Sequence, residues 1–126
     1  MAGFKGDFVP DLPETLVYLL GMDVQTRRVI LDDNRGQQLR KYLVYRGTLR
    51  NGCTVVVLWR DTAGWTEDDY RRDYDFVKQE LVEGADEIYV NGDSRIPGAL
   101  SLDSVIFQAC VLSPVLKRTL KTRGRE

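Results

Sequence analysis

Asp61 and Asp93 are the two carboxylates of this sequence whose placement points to chemistry. Each closely follows an apolar run, Asp61 in "TVVVLWRDTAG" and Asp93 in "EIYVNGDS". Open α/β sheets bind ligands just past the carboxyl ends of their parallel strands. Two carboxylates one strand spacing apart there, beside Thr62 and Ser94, could hold a divalent cation or share a proton. The same residue types also close turns by bonding their own backbone. In that second reading, Asp61 satisfies backbone donors where strand gives way to helix, with Trp59 and Trp65 packed around the bend.

A second constellation lies upstream. "LRKYLVYRGTLR" alternates, with Leu39, Leu43, Tyr45 and Leu49 on one face and Arg40, Tyr42, Val44, Arg46 and Arg50 on the other. Arg40, Arg46 and Arg50 interleaved with Tyr42 would neutralise phosphates and stack on a base, which makes these four the candidate DNA-binding residues. A strand face that merely meets solvent has the same composition. Around this stretch the charge is segregated, with eight Lys/Arg against two Asp over Gln25–Arg60 and three against eleven acids over Asp61–Asp93. A basic zone beside an acidic one suits an anionic partner on one side and a different partner on the other, or two faces that simply solvate each other.

Other chemistries are excluded by composition. The chain has no histidine, which removes Ser-His and Cys-His nucleophile pairs and mixed Cys/His metal sites. Cys53 and Cys110 are too few for a disulfide framework and read as small reduced hydrophobes. Neither G-x-x-x-x-G-K-[ST] nor G-x-G-x-x-G occurs, so the usual glycine-rich phosphate cradles are missing.

The elements that must position these residues are legible in outline. Asp11 and Glu14 form a D-x-x-E start with Pro13 in the first turn, predicting a short helix over 12–20 with Leu16, Val17, Leu19 and Leu20 as its apolar stripe. "RRVIL" is a short strand candidate, followed by the turn-forming "DDNRGQQ" and the alternating, half-buried strand from Leu39. Asn51-Gly52 predicts a type I′ hairpin turn with positive φ at both residues. The unbroken "VVVLW" that follows implies a central strand buried on both faces. Thr66 caps the next helix, with Tyr70, Tyr74, Val77 and Leu81 on one face and Asp68 and Arg72 one turn apart outside. Gly84 ends it, "DEIYVNG" is the next strand, and the strand-helix-strand unit makes the two strands parallel. Leu102–Leu112 has the apolar content of a further helix.

The expected fold is therefore α/β: a small mixed sheet of about four strands, a β-meander plus a βαβ unit, with helices packed on it. With 126 residues and 43% hydrophobic content, one core is expected. Residues 1–112 read as a single domain and 113–126 as a basic C-terminal tail. No apolar run is long enough for a membrane span and the N-terminus lacks a signal-peptide pattern, so the expectation is a cytoplasmic protein without a membrane partner.

Three segments in order, "DLPETLVYLLGMDV", "KYLVYRGTLRNGCTVVVLWRDTAGWTEDDYRRDYDFVKQEL" and "DEIYVNGDSRIPGALSLD", resemble the C-terminal region of adenine-specific DNA methyltransferases of the Mod type. These are the modification subunits of type III restriction systems and their relatives. The resemblance spans Asp11–Asp103. That family's Asn/Asp-Pro-Pro-aromatic tetrapeptide and its Phe-x-Gly-x-Gly loop for S-adenosylmethionine do not occur here, so no catalytic residue carries over and no cofactor is assigned to this chain. The resemblance implies a non-catalytic module that follows a catalytic domain, as a fragment or a separately encoded chain. Its implied partners are DNA, the methyltransferase catalytic domain, a modification or restriction subunit, or a second copy of itself. The acidic helix suits subunit docking and the basic strand suits the duplex. The rival reading is a small metal-dependent or nucleotide-binding domain using Asp61 and Asp93.

Overall fold

A computed structural model of the protein describes residues 12–32, 40–92 and 95–112. Helix α1 (Leu12–Leu20) leads into three antiparallel strands, β1 (Asp23–Asp32), β2 (Arg40–Thr48) and β3 (Thr54–Arg60). Helix α2 (Glu67–Phe76) continues into a π-helical turn (Val77–Leu81), and the chain returns as β4 (Glu87–Val90), β5 (Ala99–Ser101) and helix α3 (Leu102–Leu112). The five strands form one mixed sheet in the order β1-β2-β3-β4-β5, with β3, β4 and β5 mutually parallel. Helices cover both faces. The strand beyond the four expected is the short β5.

The central strand explains the layering. Val55, Val56, Val57 and Leu58 have no solvent exposure, and the period of two sends alternate residues to opposite cores. Val55 and Val57 join Tyr45, Tyr89, Leu16 of α1 and Leu102 and Ile106 of α3. Val56 and Leu58 join Tyr42, Val44, Val90 and, from the α2 side, Val77 and Leu81. Strand β2 is thus buried on both sides of the sheet, and the half-buried expectation is corrected. Tyr42 and Val44 point under α2 because the β3–β4 crossover lays that helix over them.

Helix α2 begins as its residues dictate. Thr66 Oγ1 accepts from Asp69 N at 3.2 Å while Asp69 Oδ2 accepts from Thr66 N at 2.8 Å, a reciprocal capping box. The expected outer pair is present, with Arg72 Nε 3.1 Å from Asp68 Oδ2. The inward stripe differs: Val77 and Leu81 are buried, but the first turns bury Asp73, leaving Tyr70 and Tyr74 half-buried at the edge of the helix. At its far end Val82 N donates to Val77 O at 3.1 Å, the wider π spacing.

Two local expectations are also revised. Gly52 alone has positive φ in the β2–β3 turn, at 89°, while Asn51 does not. Gly52 N donates to Leu49 O at 2.9 Å, and Asn51 Oδ1 accepts from Cys53 N at 2.9 Å. The loop is longer than a two-residue type I′ turn, and the left-handed conformation falls on the glycine alone. Strand β1 is longer than "RRVIL", because pairing from Asp23↔Thr48 to Asp32↔Arg40 sustains it through backbone bonds although most of its side chains are exposed. Residues 113–126 lie outside the described residues. Among those described, no helix is long and apolar enough to cross a membrane.

Candidate functional site

The carboxyl ends of β3 and β4 are the place where a parallel sheet offers a ligand site, and here they are filled from within. Arg60, the last residue of β3, has no solvent exposure, and neither does Asp73 on α2. The Arg60 guanidinium forms an ion pair with Asp73 Oδ2, and Arg60 Nη2 donates to Asn91 O at 3.0 Å. Asn91 completes the knot, its Oδ1 accepting from Arg60 N at 2.8 Å and its Nδ2 donating to Arg60 O at 2.7 Å. The side-chain amide thereby continues the β3–β4 ladder past its last backbone pair, Leu58↔Val90. Trp65 lies over the guanidinium, its ring centre 5.4 Å from Cζ.

A line of aromatic rings ending in a second cation continues outward. Trp65 meets Tyr70 edge-on at 5.1 Å, and the Arg95 guanidinium stacks on Tyr70 at 4.6 Å. Arg95 has φ 57°, a left-handed conformation that costs a side-chain-bearing residue on the order of 1–2 kcal/mol. Its guanidinium also donates to Glu67 Oε1 at 2.7 Å. The hydrogen bond from Arg95, reinforced by its charge, holds the Glu67 carboxyl below its ordinary 4.5. Glu67, Tyr70, Arg71, Tyr74, Asp75 and Arg95 line a shallow surface groove of about 380 Å³. Its two acids balance its two arginines, so it has no net field for a polyanion.

Of the two aspartates expected together at the strand ends, only Asp61 is among the described residues. Asp61 is exposed beyond the knot, and its Oδ1 accepts from Ala63 N at 3.2 Å, closing its own turn. Asp93 lies outside the described residues. Among the described residues no group of three or more metal-ligating side chains is placed to hold an ion.

The basic strand face is rearranged. Tyr42 has no solvent exposure and packs on Phe76 with ring centres 5.2 Å apart, so the expectation that it stacks on a base is corrected. Helix α2 occupies the space a base would need. Arg46 reaches around the end of the π-helical turn and donates to Glu83 O, satisfying a carbonyl left over where the helix ends. Arg50 is exposed in the β2–β3 turn. Arg40 opens β2, and its side chain lies outside what the structure describes.

Sequence reasoning missed Arg60, Asp73 and Asn91 as a unit. Two signals existed: Arg60 prolongs the inward phase of the most apolar strand, and Asp73 falls at the i+3 position between Tyr70 and Val77. A charge on each of two buried stripes calls for a partner on the other. Compared with models of known protein families, with curated proteins and with solved structures, the chain matches none.

Proposed function

We propose that this chain is a non-catalytic C-terminal module of a site-specific DNA adenine N6-methyltransferase, contributing to subunit assembly and DNA engagement. The observation that carries the reading is the Arg60–Asp73–Asn91 knot. It ties the second and third Mod-like segments together, and it fills the strand ends with structural side chains. The first segment supplies α1, whose Leu16 packs in the same core as Val55 and Val57. The residues on which the resemblance rests are therefore the ones that hold the fold. Such a unit suits a rigid body that presents surfaces to a neighbouring catalytic domain, where S-adenosylmethionine would bind.

Base flipping requires the duplex to be gripped from outside the pocket. Exposed Lys41 and Arg50 offer cations for that grip, and the charge-balanced groove along α2 suits contact with protein. The test joins this chain to a Mod-type catalytic domain stripped of its own C-terminal region and follows transfer of labelled methyl groups to DNA. The chain alone is expected to transfer none, and the joined protein to bind DNA more tightly than the stripped domain. Transfer by the isolated chain, or a joined protein no better than the stripped one, overturns the reading.

A further inference from the structure

Strand β1 ends the sheet on one side, and among the described residues no strand pairs with its outer edge. It is laddered only to β2, so alternate N–H and C=O groups along its ten residues point away from the sheet. Proteins blunt such edges with bulges, prolines or a covering loop. A bulge is present between Val24 and Thr26, but from there to Asp32 the ladder is regular and the strand has no proline. This regular half carries Val29 at 52% and Leu31 at 58% exposure, the two most exposed large apolar residues of the strand. They lie on the α1 side of the sheet, opposite Leu43 and Lys41 of β2.

We infer that β1 pairs antiparallel with β1 of a second copy of this chain, about a two-fold axis through Ile30, joining two five-stranded sheets into one. The residue pattern selects this register. A two-fold perpendicular to the sheet keeps each residue on its own face, so paired residues differ by an even number. An axis at Arg28 sets that arginine against itself, and an axis at Val29 sets Arg27 and Arg28 against Leu31 and Ile30. An axis at Leu31 sets Ile30 against Asp32. With the axis at Ile30, Arg28 is in register with Asp32 of the second copy twice over, Val29 with Leu31 twice over, and Ile30 with its own copy. One face then gathers four apolar side chains that are otherwise in water. The other has an isoleucine pair flanked by positions of opposite charge, and directly opposed pairs of both kinds stabilise antiparallel strands. Arg27 does not interfere, because it folds back onto β2, Nε donating to Tyr45 Oη at 3.0 Å. This pairing rests on the edge of the sheet and does not depend on the methyltransferase reading.

Sedimentation equilibrium and light scattering on the full chain provide the test. A mass that rises with concentration towards twice 14.4 kDa is expected, with the double variant Val29→Lys, Leu31→Lys remaining at one chain and keeping its circular dichroism. Register is read by disulfide trapping in a Cys53→Ser, Cys110→Ser background. Ile30→Cys should link to itself, and a mixture of Val29→Cys and Leu31→Cys chains should link faster than either alone. The mixture keeps the test informative should Ile30→Cys fail to fold. A single-chain mass at every concentration, a dimer unaffected by the two lysines, or faster linkage of Val29→Cys to itself overturns the inference.

Discussion

Removing the Asp73 carboxylate would leave the Arg60 guanidinium charged, out of reach of water and short of its counter-ion. Breaking one side of a buried pair costs about 3–5 kcal/mol, so Asp73→Ala should lower the urea midpoint by a large fraction of its parent value. The double variant Arg60→Met, Asp73→Leu should recover most of that loss, since the bare charge is gone. Asp61 belongs to a milder class: its carboxylate holds one exposed turn donor, and Asp61→Ala should cost about 1 kcal/mol in the same assay. Tyr89 gives a pH signature. Burial pushes its phenol above the ordinary 10.0, and the charge of Glu87, whose Oε1 accepts the phenol proton at 3.1 Å, adds to the rise. A group with a raised folded value contributes stability that is fully present below its unfolded value, about pH 10, and lost as pH climbs through the folded value. Denaturation midpoints should therefore fall above about pH 10 less steeply in Tyr89→Phe than in the parent.

Strand β1 stays on the sheet at its first residues because Gly47 lets the two backbones approach where the β1 bulge lies. A Cβ at position 47 would sit 2.1 Å from Asp23 O and 2.9 Å from the Val24 Cα, both backbone atoms that cannot step aside. Gly47→Ala should cost roughly 1–3 kcal/mol or more. Hydrogen exchange should show the loss concentrated in Asp23–Gln25 rather than in β3. The element pattern was largely legible in the sequence: the apolar run of β3, the Thr66 cap, the Gly84 stop and the parallel crossover follow from period and turn chemistry. What was not legible depends on tertiary contact. Nothing local in "YLVYRG" says that Tyr42 and Val44 lie under a helix that arrives only after the next strand, because the segment lacks the unbroken apolar run that marks a strand buried on both faces. The polar start of β1 was hidden because backbone pairing with β2, not side-chain burial, makes it a strand.

At the scale of the whole molecule the basic residues divide into two roles that composition cannot separate. Arg60 is internal, Arg46 satisfies a helix end, and Arg27 lies on Tyr45, whereas Lys41 and Arg50 extend into solvent. The buried network was half legible for the same reason: "RDT" and "NGDS" drew attention to the ends of β3 and β4, where Arg60 and Asn91 lie, but Asp61 took the reading and the partnership of Arg60 with Asp73 and Asn91 was missed. Buried networks need a partner from another element, and a one-dimensional pattern does not supply it. The two roles predict separable phenotypes in DNA titrations across a range of salt. If the module grips a duplex through its exposed cations, Lys41→Ala with Arg50→Ala should flatten the slope of log K against log salt by about 0.9 for each phosphate no longer neutralised. Arg46→Ala should leave that slope unchanged and lower the free energy of unfolding by about 0.5–1.5 kcal/mol through its missing hydrogen bond. A slope that responds to Arg46 and ignores Lys41 and Arg50 would move the DNA-facing surface to the end of the π-helical turn.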